Sequence, residues 1–159
     1  MAKDSKLGIE GVWLILVFIL ILIFFAYKEA NALEIEAGPT LLSGEYGEGG
    51  ALMLSDRVGK WSVGGGYVSK QVCHCRWPAD LDENIFFNAQ RVLEYKRWEL
   101  GIGPAYWQNT NRALGKKLTW SLSLGFGGEH WSLRLRHFSN AGSGTPNLGQ
   151  DMLLIGYAF

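Results

Sequence analysis

The sequence predicts an all-β protein, an eight-stranded antiparallel transmembrane β-barrel preceded by an N-terminal hydrophobic signal segment. Three observations predict it. Stretches of two-residue alternation recur from Leu33 to the C-terminus, and period two is the mark of a strand. In those stretches the large apolar side chains share one face, while Gly, Ser, Ala and a few charges share the other. A soluble barrel keeps its large residues inside, so the reverse pattern points to a barrel standing in lipid. The N-terminus carries a short apolar run behind lysines, the form of an export signal.

Composition agrees. A length of 159 residues suggests one domain. The formal net charge is zero, which leaves no electrostatic case for nucleic acid. Hydrophobic residues make up 48%, with 21 glycines, 7 tryptophans and only 4 prolines. Glycine and aromatics without a long polar helix favour a compact β protein.

Residues 1–32 read as a signal peptide, or as an uncleaved anchor. Lys3 and Lys6 precede the apolar run Val12 to Ala26. That run is short for a bilayer, which takes ~20 apolar residues. Ala30-Asn31-Ala32 has the small-x-small form of a cleavage site, so the mature chain is expected to begin at Leu33. The barrel then occupies 33–159. The leader holds three basic and three acidic residues, so its removal leaves the barrel neutral.

Eight strand-like runs follow, near 33–42, 49–55, 60–69, 85–95, 97–107, 117–126, 129–139 and 150–159. Leu33, Ile35 and Ala37 alternate with Glu34, Glu36 and Gly38. Trp61, Val63 and Tyr67 alternate with Ser62, Gly64 and Gly66. Trp98, Leu100, Ile102 and Tyr106 oppose Glu99, Gly101, Gly103 and Ala105. Leu118 to Phe126 and Leu153 to Phe159 repeat the pattern, with Leu154 on the inner face of the last run. Eight strands leave an interior just wide enough for side chains. Glu34, Glu36, Glu99, Arg134 and Arg136 fall inside, where opposite charges can pair. A soluble β-sandwich or lipocalin-like barrel stays open as the alternative.

An even strand count puts both termini on the periplasmic side. The connections near 43–48, 70–84, 108–116 and 140–149 become external loops. Ser55 to Gly59, Tyr95-Lys96 and Gly127-Gly128 become short periplasmic turns. Trp61, Trp98, Trp131, Tyr157 and Phe159 would form one aromatic girdle, and Tyr67, Tyr106 and Trp120 the other.

The stretch that carries chemistry is Trp131 to Ser139. Trp131, Leu133 and Leu135 define its apolar face, and His137 and Ser139 continue that face. Arg134 and Arg136 lie opposite. Asp151 shares the parity of Leu153, Ile155 and Tyr157 on the next strand. A hydroxyl, an imidazole and a carboxylate therefore meet at the external rim, on the lipid side. Ser139 can attack, His137 can take its proton, and Asp151 can orient the imidazole. Asn147 could donate to an oxyanion. Each residue alone has an ordinary reading as a polar strand end. An ionisable side chain facing a membrane is nevertheless a functional hypothesis by default.

The run His137-Phe138-Ser139-Asn140-Ala141-Gly142, then Pro146-Asn147, then Asp151-Met152-Leu153-Leu154, resembles the lipid A 3-O-deacylase (PagL-type) family. The motif covers about the last 25 residues. The resemblance implies an eight-stranded outer-membrane barrel with His137 as base, Ser139 as nucleophile and Asp151 as orienting acid. It implies Asn147 at the oxyanion, with Asn140 as the Asn that follows the Ser. The acid here is Asp, one methylene shorter than the Glu the resemblance leads one to expect. The implied reaction is hydrolysis of the acyl ester at the 3 position of lipid A, in the outer leaflet of a Gram-negative outer membrane. The implied partners are lipopolysaccharide and the membrane, with a homodimer allowed and no cofactor or metal required.

Lys70, Arg76, Arg112, Lys116 and Lys117 fall in the external loops, where phosphates could meet them; solvated loop surface is their ordinary reading. Cys73-His74-Cys75 lacks a fourth ligand and the spacing of a zinc site, and is assigned no function. A non-enzymatic structural or adhesion barrel, and a phospholipase or acyltransferase using the same three residues, are the competing functions.

Overall fold

The computed structural model describes residues 33–42, 45–72, 81–110, 113–142 and 149–159. The expected leader over 1–32, the Cys73-His74-Cys75 trio, Arg76, Arg112 and Asn147 lie outside the described residues. Among the described residues the regular elements are β1 (Glu34–Leu42), β2 (Glu45–Val58), β3 (Trp61–Val68), β4 (Asn84–Tyr95), β5 (Trp98–Trp107), β6 (Leu118–Gly127), β7 (Trp131–Ser139) and β8 (Gln150–Ala158). Each strand pairs with the next, and β8 pairs antiparallel with β1 to close the barrel. Closure leaves no sheet edge, which is the condition for a sheet to stand in hydrocarbon.

One boundary differs from the sequence reading. β2 starts at Glu45 and runs to Val58, well beyond the expected 49–55. Its Gly- and Glu-rich start shows no alternation, but a ladder needs only backbone. The pairing Leu41 with Tyr46 resumes after a register shift between Pro39 and Leu41. Proline has no N–H to give the ladder, so a shift beside it costs little. The expected 43–48 loop is correspondingly short. Ser55 to Val58 are strand rather than turn, and the turn falls on Gly59 and Lys60.

The outer face is the expected apolar one. Leu100, Ile102, Leu122, Leu124, Leu133, Leu135 and Ile155 are all exposed. Trp61, Trp98, Trp131 and Phe159 stand exposed toward the end with the short turns, and Tyr67, Tyr106 and Trp120 toward the other. In water this band would be an aggregation surface; in a bilayer it is the solvent match that holds the barrel in place.

The interior divides in two. Toward the termini it is ionic. Arg134 reaches Glu34 at 3.3 Å, Glu36 at 3.1 Å and Glu99 at 2.8 Å. Arg136, fully buried, donates to Glu36 at 3.0 Å and to Gln90 at 2.8 Å. Arg57 pairs with Glu99 at 2.8 Å and also with Glu94. Burying such charges is tolerable only because each has partners.

Toward the long loops the interior is apolar, which corrects the expectation of small and polar lumen residues. Phe86, Trp107 and Phe138 meet with ring centroids 4.9–5.0 Å apart. Met53, Met152 and Leu154 are buried with them. Glycines on neighbouring strands make the room. A Cβ on Gly66 would lie 2.7 Å from the Phe86 ring.

Candidate active site

β7 carries two machines on its two faces. Arg134, Arg136 and Phe138 point inward and are buried. His137 and Ser139 point outward, beyond Leu133 and Leu135. The inner contacts tie β7 to Glu34 and Glu36 of β1, Gln90 of β4 and Glu99 of β5. The strand that presents the outer groups is thereby held rigid from behind, as a site needs.

On the outer face His137 lies directly across from Asp151 in the β7–β8 ladder. Its Nδ1 is 2.6 Å from Asp151 Oδ1. A carboxylate can only accept, so the imidazole N–H donates and Nε2 keeps its lone pair. The His137 side chain is 44% exposed and that of Asp151 18%. The imidazole is therefore reachable from outside, while the acid behind it is covered. Opposite-strand pairing brings Cβ atoms within about 5.5 Å, which is why the short Asp side chain suffices here.

Ser139 is two residues along on the same face, opposite Trp120 of β6. Its Oγ accepts from the Ala141 N–H at 3.1 Å. That turn fixes the hydroxyl oxygen and leaves its proton to be donated elsewhere. Around these groups the outward neighbours are apolar. Leu122 stands opposite His137, and Leu41 opposite Asp151 on the other side.

Comparisons with known proteins show a partial family match and a similar barrel. A family model described as lipid A 3-O-deacylase (PagL) matches residues 85–159, the stretch that supplies β5 to β8 and nearly all of β4. Over that stretch the chain is similar to the PagL lipid A 3-O-deacylase family. The crystal structure of the outer membrane enzyme PagL is similar to this barrel, with a TM-score of 0.56. That likeness covers 80% of this chain and 98% of that one, at 19% identity. No curated protein sequence matches this chain.

The remaining expected residues separate. Asn140 is buried, unlike the outward Ser139 before it. Its amide donates to the Leu114 carbonyl at 2.9 Å, and its carboxamide oxygen accepts from Gly142 N–H at 3.1 Å. Asn140 thus shapes the backbone after Ser139 from the inside. Lys70, Lys116 and Lys117 are exposed on the loop side. Among the described residues no cluster of His, Cys, Asp or Glu could hold a metal ion.

Sequence reasoning missed Ala113 and Leu114. Both are buried, and their carbonyls accept from Gly149 N at 3.3 Å and from Asn140. The β5–β6 connection thus braces both ends of the β7–β8 connection. Two apolar residues in a polar loop were the one available hint.

Proposed function

We propose that this chain, similar to the PagL family over residues 85–159, hydrolyses the 3-O-linked acyl ester of lipid A by a Ser-His-Asp triad, Ser139, His137 and Asp151. The observation that carries the reading is the 2.6 Å contact of His137 with Asp151 on the lipid-facing wall, in phase with Ser139. His137 Nε2 removes the Ser139 proton as Oγ attacks the ester carbonyl. Asp151 holds the imidazole in the tautomer that makes Nε2 basic and stabilises the imidazolium that forms. By the resemblance, Asn147, which lies outside the described residues, would supply the amide that donates to the tetrahedral oxyanion. Collapse breaks the ester C–O bond, and the imidazolium returns its proton to the departing sugar 3-oxygen, which leaves as the free hydroxyl. Water then attacks the acyl-Ser139 ester, again through His137, and releases the fatty acid.

The location supports the substrate. The three groups lie toward the long-loop end of an apolar band, at the level where lipopolysaccharide meets hydrocarbon. Substrate reaches them sideways from the outer leaflet, with no pore to enter. A buried charge lattice and an aromatic plug fill the lumen behind them.

Mass analysis of lipid A from cells making the wild type beside cells making Ser139→Ala tests the reading. Loss of one 3-linked acyl chain with the wild type alone is the expected result. Intact lipid A with both, or released phospholipid chains instead, would favour the non-enzymatic barrel or a phospholipase. Cleavage after Ala32 and a homodimer are further proposals, tested by N-terminal sequencing and by sedimentation in detergent.

A further inference from the structure

Gly149 stands immediately before β8, two residues from Asp151. Its φ is +75°, in the left-handed region that most side chains avoid. A Cβ built on it would lie 2.7 Å from His137 Cε1 and 3.6 Å from His137 Nδ1. Carbon atoms at rest stand about 3.5–4.0 Å apart, so the ring and a side chain cannot share this space. The imidazole is packed against bare backbone. That backbone is itself held, since Gly149 N donates to the Ala113 carbonyl at 3.3 Å.

We propose that Gly149 is a positioning residue for the general base: its backbone walls one side of the His137 ring and keeps Nδ1–H on Asp151 Oδ1. The inference rests on the reading of His137 as base. Asp151 pulls the ring by one hydrogen bond, but one bond leaves the ring free to swing about it. A rigid wall beside Cε1 removes that freedom. Productive geometry tolerates errors of only about 0.5 Å, so a ring displaced by a side chain at 149 would present Nε2 wrongly to Ser139.

The competing explanation is that only the turn needs glycine. Asn separates the two, because it tolerates the left-handed region yet carries a Cβ. Gly149→Asn should therefore form a folded, heat-modifiable barrel with kcat lowered at least about 100-fold and KM within about twofold. Gly149→Ala should match it in kcat and be the less stable of the two. Gly59→Asn is the control, at φ +59° with nothing within 4 Å of its Cβ, at the far end of the barrel. It should keep kcat within about twofold.

Two further measurements decide the matter. In an Asp151→Asn background the additional cost of Gly149→Asn should shrink to about threefold or less, because both act on one ring. In 15N-histidine-labelled protein the His137 Nδ1–H resonance, assigned by its loss in His137→Gln, should be shifted or lost in Gly149→Asn and kept in Gly59→Asn. Full kcat in Gly149→Asn, strictly additive costs, or an unchanged Nδ1–H resonance would each overturn the proposal. A wild type without deacylase activity but with the resonance shift would sink the functional reading and leave the positioning intact.

Discussion

His137 and Asp151 face each other directly across the β7–β8 ladder, with Nδ1 and Oδ1 2.6 Å apart on the outer wall of the barrel. The pair is made by register alone. Shifting β8 by one residue would turn Asp151 into the lumen and bring Gln150 or Met152 outward. Closing the barrel through β1 fixes that register.

Asp151→Asn should lower kcat by about 10^3 to 10^4-fold while leaving the barrel folded, because the amide no longer holds the productive tautomer. Asp151→Glu should retain more activity than Asp151→Asn, since the charge stays. Deacylation rates of both variants on lipid A in mixed micelles check this. Equal loss in the two would mean that charge is not what Asp151 supplies.

Ser139→Ala and His137→Ala should each remove activity by at least about 10^3-fold, and the double variant should lose little more. Both residues are outward and partly exposed, so neither change should disturb the heat-modifiable mobility of the folded barrel. Unfolded protein from either variant would contradict their placement on the lipid face.

Glu36→Ala should destabilise the barrel by about 3–5 kcal/mol. Glu36 is fully buried and accepts from Arg136 at 3.0 Å, with Arg134 at 3.1 Å. Its loss strands a buried guanidinium. Urea unfolding in lipid vesicles measures the change, with the exposed Leu100→Ala as the comparison. Stability within about 0.5 kcal/mol of wild type would mean that water or another acid replaces the carboxylate.

Trp120→Ala should raise KM about 10-fold with little change in kcat. Trp120 stands opposite Ser139 and is 54% exposed on the outer face. A departing acyl chain bound beside Ser139 would lie on it, and burying a side chain of this size contributes roughly 1.5–3 kcal/mol. An unchanged KM would place the acyl chain on the β8 side, over Leu153.

Parity made much of the site legible. Once Trp131, Leu133 and Leu135 are taken as one face, His137 and Ser139 must share it, and Asp151 must follow Leu153 and Ile155. The same logic places Arg134 and Arg136 inside with Glu34, Glu36 and Glu99, and the structure pairs them. Phe138 was equally legible by parity, as the residue after Arg136 on the inner face. The compositional rule of a small, polar lumen hid it, along with Phe86 and Trp107.

Local alternation therefore determined the fold class, the two faces and which chemical groups stand on the lipid side, because a pleated strand allows each side chain only two directions. It could not determine partners separated by many residues. That His137 meets Asp151 at hydrogen-bonding distance depends on barrel closure and strand register. That Asn140 turns inward to Leu114, and that Gly149 walls the imidazole, depends on a loop from β5–β6 crossing to β7–β8. Such contacts join segments with no shared periodicity, so only the closed tertiary structure, which brings those backbones within a few ångströms, decided them.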